Sequence, residues 1–530
     1  MTGISNRQTL WNDLGSNQTQ WDMVIVGGGI TGAGILREAA RLGLKVLLIE
    51  QKDYAWGTSS RSSKMVHGGL RYIAQGDIKL TKHSVEERER LIREVPGLVD
   101  RIGYLFTIRK GQFPGKIAFN TLLKVYDGLA GIKTQKYFDK KTLVQKVPGL
   151  NDKGLKGASY YTDAATDDAR LTLRVLQEAI AEGGTSGNYM QGETILKSVS
   201  GQVSGIRIKD METGDTADVN AKVVINATGA WVDKLRSQMI NEHKIRPLRG
   251  SHIIIPHHMA PVSDSLTLFH PRDKRPVFVF PWEGVTVIGT TDLDHSQDLM
   301  KEPCISKEEL DYLLEITGFE FPDAKITKDD IISTYAGVRP VISSDTSKDP
   351  SKEKREHAVW SDQGLISVSG GKLTTFRLIA LDVIKAAKIE LGLADTTPLS
   401  DIVISPATIN ENDVSASDPT WARRLIGRYG NHAKTLLDNV EEEEKGKIDN
   451  TQFCLAELRW AAKHESVVHL DDLMLRRSRL GSLLPKGGES LMPRLEPICK
   501  QELGWDDNTW QSEKSRYLAL WKSSYSLPTS

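Results

Sequence analysis

Four basic side chains are the residues of this chain best suited to chemistry on an anionic substrate. Arg71, Arg339, Arg355 and Lys372 lie in glycine-containing segments or at predicted strand ends rather than on predicted helix surfaces. The planar guanidinium fork of arginine matches the oxygens of a phosphate group. A single arginine is more commonly part of a surface ion pair worth about 0–1 kcal/mol, so the residue types alone leave that alternative open.

His252 is the candidate general base, because an imidazole titrates near neutral pH and can take a proton from a substrate hydroxyl. Two alternatives remain: His252 is a half-buried histidine that starts a strand, or the proton goes to Arg339 or a bound water. Lys372 follows Gly370-Gly371, where an ammonium group beside a helix N-terminus would stabilise negative charge.

Residues 23–50 form the element that must hold a cofactor beside these side chains. An apolar run predicts a strand buried on both faces, and glycines follow in the spacing G-x-G-x-x-G at Gly27, Gly29 and Gly32. A predicted helix and a second apolar strand come next. The glycines permit a tight turn, the approach of a phosphate and close helix–sheet packing, while the helix N-terminus attracts a pyrophosphate. Glu50, 18 residues after Gly32, can accept hydrogen bonds from a ribose. The unit predicts a dinucleotide site without distinguishing FAD from NAD.

Later glycine turns favour FAD. Ala227-Thr228-Gly229 ends a predicted strand, and Gly370-Gly371 ends another, so three separated turns would contact an extended cofactor. Flavoenzymes that take electrons from NAD(P)H often carry a second G-x-G-x-x-G unit, and none is present here. The polar, glycine-rich residues 53–72 suit a segment laid along a phosphate-bearing ligand, although a solvated loop is the alternative.

Composition sets limits on function. The chain has 530 residues, enough for about two to four domains, with 69 Lys+Arg and 69 Asp+Glu. This balance gives no indication of nucleic-acid binding. Three dispersed cysteines suggest neither a disulfide framework nor a metal site, and a reducing cytoplasmic compartment is expected. We see no signal peptide and no apolar run long enough to cross a bilayer.

The pattern along the chain predicts an α/β protein with three parts. These are a Rossmann-like FAD-binding domain with an inserted, mainly antiparallel substrate-binding sheet, and an all-α C-terminal domain. We predict an N-terminal arm at 1–20, an FAD-binding domain at 21–80, 160–245 and 330–392, a cap at 81–159 and 246–329, and the helical domain at 400–530. Residues 109–141 combine lysines with apolar side chains. They would lie on an anionic membrane surface or, equally, form a packed helix with a solvated face.

Seven motifs carry a resemblance to a known family. They are TSSRSSKMVHGGLRY (58–72), NATGAWVD (226–233), RGSHIIIP (249–256), FPWEGVTVIGTTD (280–292), YAGVRP (335–340), KREH (354–357) and SGGKLTTFR (369–377). Their order resembles that of the FAD-dependent glycerol-3-phosphate dehydrogenases in their respiratory, aerobic form, over about residues 22–480. The resemblance implies oxidation of sn-glycerol 3-phosphate to dihydroxyacetone phosphate, hydride transfer to flavin N5 and passage of electrons to a membrane quinone.

The resemblance also implies roles for individual residues. Substrate phosphate would be bound by Arg71, Tyr72, Arg355 and one of Thr290 or Thr291, with Arg339 and Lys372 beside the flavin and the substrate hydroxyls. The positions assigned to FAD are Gly27, Gly28, Gly29, Ile30, Thr31, Gly32, Glu50, Thr58, Ser59, Ser63, Lys64, His67, Gly68, Gly69, Leu70, Ala227, Thr228, Gly229, Trp231, Gly337, Gly370, Gly371, Lys372, Leu373 and Thr374.

Other functions remain open at this level. The nearest is a glycerol-3-phosphate oxidase that uses O2, followed by an amino-acid or 2-hydroxy-acid oxidase of the same fold, which needs one cation rather than several. A non-catalytic flavin-binding interaction protein is the alternative from another class. We expect peripheral attachment to the inner face of the cytoplasmic membrane, and a homodimer is implied by the resemblance alone.

Overall fold

The computed structural model describes residues 7–16, 19–74, 76–342, 357–394, 401–438 and 440–528, with the side chains of residues 71 and 74 left out. The strands are β1 (Trp21–Val26), β2 (Val46–Ile49), β3 (Met65–Val66), β4 (Val99–Arg109), β5 (Lys136–Asp139), β6 (Leu155–Thr166), β7 (Thr185–Gly187), β8 (Met190–Lys197), β9 (Val203–Asp210), β10 (Thr216–Asn226), β11 (Ile245–Pro256), β12 (Ser265–Phe269), β13 (Pro276–Trp282), β14 (Val285–Gly289), β15 (Leu293–Asp294), β16 (Ser333–Ile342), β17 (His357–Asp362) and β18 (Leu365–Gly370).

The helices are α1 (Arg7–Gly15), α2 (Ile30–Arg41), α3 (Leu70–Ala74), α4 (Ile78–Glu94), α5 (Lys116–Ala130), α6 (Lys140–Lys146), α7 (Asp168–Ala181), α8 (Val232–Arg236), α9 (Lys307–Glu320), α10 (Phe376–Glu390), α11 (Pro419–Tyr429), α12 (His432–Asp438), α13 (Glu442–Lys445), α14 (Leu455–His464), α15 (Leu470–Asp472), α16 (Leu480–Leu483), α17 (Met492–Leu503) and α18 (Asp507–Ser524). A turn of π-helix, Leu473–Arg477, follows α15.

The first sheet has the strand order β17-β18-β10-β1-β2-β7, with the β8–β9 hairpin joined through β10. Strands β18, β10, β1 and β2 run parallel, so their carboxyl ends meet at one edge. The predicted turns at residues 27–32, 227–229 and 370–371 follow β1, β10 and β18, and Glu50 follows β2. Helices α2, α7 and α10 pack together on this sheet. The arrangement confirms the Rossmann-like expectation and gathers separate sequence motifs at one place.

The second sheet is mainly antiparallel, as predicted, with the order β15-β11-β14-β13-β12-β4-β6-β3. Strands β3, β16 and the later half of β6 lie in the ranges predicted for the FAD-binding domain, and they pair in this second sheet. β16 pairs with β11 from Ser333↔Ile254 to Ile342↔Ile245. That long-range ladder fixes its place, and a local apolar pattern cannot reveal a partner about 80 to 100 residues away.

The C-terminal helices α11–α18 form the expected helical domain and pack against both sheets. Leu458, Leu473 and Trp510 share one buried cluster with Phe280 and Trp282 of the second sheet. The predicted N-terminal arm contains α1, whose Leu10, Trp11 and Leu14 are buried against the first sheet. The helix is therefore an integral part of that sheet's outer layer.

Candidate active site

A large cavity of about 1080 Å³ lies between the glycine-bearing edge of the first sheet and the inner face of the second. This volume is at the upper end of the range that ligand sites occupy. Its walls include the turns after β1, β10 and β18, the loop before α3, and parts of β4, β13 and β16. Motif residues as far apart in the sequence as Gly27 and Thr374 therefore line one cavity.

The nucleotide end is a turn that only glycine fits. Gly27 has φ +117°, and a Cβ on Gly32 would lie 1.9 Å from the carbonyl oxygen of Gly27. A Cβ on Gly29 would come within 3.1 Å of Ser59 Oγ, which accepts from Ile30 N at 2.9 Å. Larger side chains would fill the space where a pyrophosphate approaches the start of α2, so the turn fits an FAD phosphate.

Glu50 is placed to accept from a ribose at this end. Its Oε2 accepts from Gly28 N at 2.7 Å and its Oε1 from Lys52 N at 2.9 Å. Burial raises the pKa of the carboxyl group, and these two backbone donors only partly oppose that shift. Gly27, Gly29, Ile30, Thr31 and Glu50 line the cavity, whereas Gly28 and Gly32 support it from behind.

The middle of the cavity is formed by two loops held together by hydrogen bonds. His67 N donates to Thr374 Oγ1 at 3.1 Å, and that hydroxyl donates to His67 O at 3.0 Å. Thr58 Oγ1 donates to Val338 O on β16. The predicted cofactor positions that line this part are Thr58, Ser59, Ser63, His67, Gly69, Leu70, Ala227, Thr228, Gly229, Trp231, Gly370, Gly371, Lys372, Leu373 and Thr374.

Besides Gly28 and Gly32, three predicted cofactor positions do not line the cavity. Lys64 is 2% exposed, and its Nζ donates to Asp168 Oδ1 at 2.8 Å and to Ser60 O at 2.6 Å. Burial, together with nearby Arg479, lowers the pKa of this amine to about 8. Gly68 and Gly337 lie against Tyr126 and Arg61, where a Cβ would clash. Lys64 therefore holds its loop in place through the ion pair with Asp168 and does not face the cavity.

Arg339 lines the cavity beside one hydroxyl and one carboxylate. Its Nη2 donates to Thr290 Oγ1 at 3.2 Å, and its Nη1 is 3.3 Å from Asp292 Oδ1. Thr291 is turned away, because its hydroxyl donates to Glu309 Oε1 at 2.6 Å. Of the two threonines, Thr290 is thus the one whose hydroxyl remains beside the arginine.

Tyr72 and Lys372 lie beside each other in the cavity wall. The Nζ of Lys372 lies 4.6 Å from the centroid of the Tyr72 ring, and both residues line the cavity. Positive φ angles at Gly370 (+81°) and Gly371 (+77°) turn the chain so that Lys372 faces inward. The side chain of Arg71 and the whole of Arg355 lie outside the described residues.

His252 is buried behind the cavity wall and does not line it. The imidazole is 1% exposed and stacks on Tyr335 with ring centroids 4.5 Å apart. Its Nε2 lies 2.9 Å from the Oγ of Ser63, which does line the cavity. Burial, with a contribution from Arg339 and Lys64, holds the pKa of His252 well below its ordinary value. Of this hydrogen-bonded pair, Ser63 faces the cavity and His252 lies behind it.

Sequence reasoning missed part of the lining. Asp292 ends the motif from which the two threonines were taken, so its pairing with Arg339 could have been anticipated. The second group of lining residues that was missed cannot be recognised from any local sequence pattern. It belongs to a branch of the cavity, here called the aromatic arm, lined by Tyr104, Phe106, Phe119, Leu122, Phe269 and Phe278. These residues come from β4, α5, β12 and β13, and only the packing of α5 on the second sheet assembles them.

No metal site is formed by the described residues. Among those same residues the three cysteines are free thiols, and none of the helices is long and apolar enough to cross a bilayer.

Comparisons with known families match the chain in two parts. The sequence pattern of the FAD dependent oxidoreductase family matches residues 22–377. That of the C-terminal domain of alpha-glycerophosphate oxidase matches residues 401–510. The first match covers the two sheets and the cavity, and the second covers most of the helical domain.

Individual relatives agree with these matches. The aerobic glycerol-3-phosphate dehydrogenase of Staphylococcus haemolyticus is 34% identical over 498 residues, covering 89% of each chain. The Staphylococcus aureus protein of the same name is 34% identical over 488 residues, covering 87% of this chain and 86% of the relative. A crystal structure of the glycerol-3-phosphate dehydrogenase from Bacillus halodurans complexed with FAD has a TM-score of 0.78 at 27% identity, covering 98% of each chain.

Proposed function

The chain belongs to the FAD-dependent oxidoreductase family, and we propose that it oxidises sn-glycerol 3-phosphate to dihydroxyacetone phosphate and passes the electrons to a membrane quinone. One observation carries this proposal beyond the family likeness. Arg339 with Thr290, and Lys372 with Tyr72, form polar walls, here together called the polar end, of the same cavity that contains the glycine turn for a dinucleotide. An anionic, hydroxyl-bearing substrate fits that end better than an apolar one.

The polar end would position the substrate. A phosphate carries three acceptor oxygens, which suit the forked guanidinium of an arginine and the hydroxyls of Tyr72 and Thr290. Arg71 and Arg355 are proposed as further phosphate ligands on the basis of the sequence. Arg339 and Lys372 would hold the substrate hydroxyls, and their charges would stabilise negative charge that develops during the reaction. Bound FAD supplies the hydride acceptor at N5.

His252 would receive the hydroxyl proton by way of Ser63. The serine hydroxyl lines the cavity, and its Oγ is 2.9 Å from His252 Nε2, so a proton can move from substrate to serine to imidazole. The low pKa of His252 keeps the ring neutral and able to accept at neutral pH. Tyr335, stacked on the ring, holds its plane in place.

The second part of the proposal is attachment to the membrane through residues 109–141. α5 buries Phe119, Leu123 and Tyr126, so the segment is a packed helix. At its start, however, Phe113 is 88% and Ile117 is 84% exposed. Lysines surround these apolar side chains in the sequence. An apolar tip within a basic segment suits the headgroup region of an anionic bilayer, which would place the enzyme on the inner face of the cytoplasmic membrane. The homodimer stays a prediction from resemblance.

The decisive experiment is anaerobic titration of the purified flavoprotein. Glycerol 3-phosphate should bleach the flavin absorption, whereas glycerol and lactate at equal concentration should not. Glycerol lacks the phosphate and lactate replaces it with a carboxylate, so the pair tests whether the polar end selects a phosphate. Failure of glycerol 3-phosphate to bleach the flavin would exclude the proposed substrate.

An oxidase that uses O2 is the second candidate, because the C-terminal residues 401–510 match the domain of alpha-glycerophosphate oxidase. Production of hydrogen peroxide in stoichiometric amount with glycerol 3-phosphate consumed, in air and without added acceptor, would favour it.

A further inference from the structure

The aromatic arm is the part of the cavity that the proposed substrate does not need. Glycerol 3-phosphate is small and polar, and none of its candidate ligands belongs to the arm, although Phe278 of the arm pairs with Gly289, next to Thr290. The walls of the arm are aromatic: Phe106 stacks on Phe119 with centroids 3.8 Å apart, and Phe269 meets Phe106 edge to face at 5.2 Å. Such an aromatic wall can stack against one face of a flat, apolar ring system.

Thr267, Tyr161 and Tyr104 place polar atoms in these walls. Tyr104 is 2% exposed and lines the cavity, and within the described part of the chain its hydroxyl has no hydrogen-bond partner. Leaving a buried hydroxyl without a partner is unfavourable, so a ligand that offers an acceptor would be stabilised there. Burial raises the pKa of Tyr104 well above its ordinary value, which keeps the phenol protonated and able to donate.

The cavity wall adjoins exposed apolar side chains near the start of α5. Pro114 lines the cavity, and the preceding residue, Phe113, is among the most exposed apolar side chains of the described chain. Ile117, one turn further along, is exposed as well. A ligand that enters here would come from the apolar, lysine-flanked tip that we propose to contact the membrane.

We infer that the aromatic arm binds the ring of a quinone, with Tyr104 donating a hydrogen bond to one quinone carbonyl. This inference rests on the proposed oxidation of glycerol 3-phosphate. That oxidation releases two electrons and two protons, and reduction of a quinone to the quinol takes up both. A quinone has the required features: a planar ring for the aromatic walls, carbonyl acceptors for the phenol, and an apolar tail that can remain in the bilayer.

Two variants and a control test the inference. Tyr104→Phe removes only the hydroxyl, and Leu122→Trp fills the arm without deleting a core ring. Tyr137→Phe is the control, since its hydroxyl donates to Lys156 O at 3.0 Å and it does not line the cavity. The probe is a benzoquinone with one isoprenyl unit. Its KM is measured with glycerol 3-phosphate as donor, and its Kd by equilibrium dialysis in the dark. Ferricyanide serves as the polar acceptor.

Tyr104→Phe should raise the KM and Kd for the quinone about 3–10-fold, the loss expected for one hydrogen bond. Leu122→Trp should raise both by at least about tenfold, because the indole occupies the ring's place. Turnover with ferricyanide and flavin bleaching should stay within about twofold in both variants, and Tyr137→Phe should match wild type throughout.

Unchanged quinone KM and Kd in both variants would overturn the inference. Loss of FAD or a shifted flavin spectrum in both would assign the arm to the flavin ring instead. If the wild type fails to bleach with glycerol 3-phosphate, the proposed function fails, whereas dialysis still reports whether Tyr104 and Leu122 contact a quinone. The two failures are therefore distinguishable.

Discussion

The imidazole of His252 lies 2.9 Å from the hydroxyl of Ser63, and of the two residues only the serine lines the cavity. A histidine that the sequence presents as a general base is thus separated from the substrate space by one hydroxyl. In the proton path that we propose, the serine is the outer member and the buried histidine is the final acceptor.

We expect His252→Gln to lower the rate of flavin reduction by glycerol 3-phosphate by about 10²–10⁴-fold, the usual contribution of a general base. Ser63→Ala should cost a similar factor if the proton passes through the serine. Single-turnover reduction at saturating substrate is the measurement. Because the pKa of His252 is held below 6.5, the acid limb of the wild-type rate should lie below that pH and vanish in the glutamine variant. If the rate of His252→Gln still falls at low pH as in the wild type, His252 is not the general base.

Arg339→Met should weaken the use of glycerol 3-phosphate about 10–100-fold in kcat/KM, because charge-assisted contacts to the substrate are lost. The variant also leaves Asp292 without the arginine that faces it at 3.3 Å. The double variant Arg339→Met/Asp292→Asn separates the two effects. If the double variant regains most of the activity, the arginine acts by neutralising Asp292 and does not contact substrate.

Gly32→Ala should abolish FAD binding, since its Cβ would fall 1.9 Å from Gly27 O and force the turn open. Gly128→Ala is the matched control, because no atom lies within 4 Å of a Cβ there. That helical substitution should leave FAD bound and raise stability by about 0.4–1 kcal/mol. The flavin-to-protein absorbance ratio and thermal unfolding report both effects. A flavin-replete Gly32→Ala protein would show that the turn can relax.

Asp53→Asn should lower the free energy of unfolding by about 3–5 kcal/mol, because it leaves Arg476 and Arg477 buried with a missing counter-charge. Asp218→Asn, which breaks the exposed pair with Arg207, should cost about 0–1 kcal/mol. Denaturant unfolding compares the two. If both variants lose the same free energy of unfolding, the buried ion pairs do not stabilise the interface between the FAD-binding and C-terminal domains.

Replacing Phe113 and Ile117 together by serine should reduce flotation with liposomes that contain anionic lipid, since both apolar side chains are more than four-fifths exposed. Val199→Ser changes another exposed apolar residue in a remote turn and should leave flotation unchanged. Turnover with ferricyanide should be retained in both proteins. Undiminished flotation of the double variant would place the attachment surface elsewhere.

The sequence by itself determined the local units and the family. Glycine spacing at residues 27–32, apolar runs and helical periodicity are short-range signals, so the Rossmann-like unit, the inserted sheet and the helical C-terminal domain could all be predicted. Motif order was specific enough to indicate the flavoprotein family and the polar residues of the site.

Only the tertiary structure decided how these units meet. The pairing of β16 with β11, the burial of His252 behind Ser63 and the engagement of Lys64 by Asp168 depend on contacts between residues about 80 to 190 positions apart. The aromatic arm depends in the same way on α5 lying over β4 and β13. Residue type and spacing specify what a side chain can do, whereas burial and the nearest neighbour decide which of those possibilities it takes.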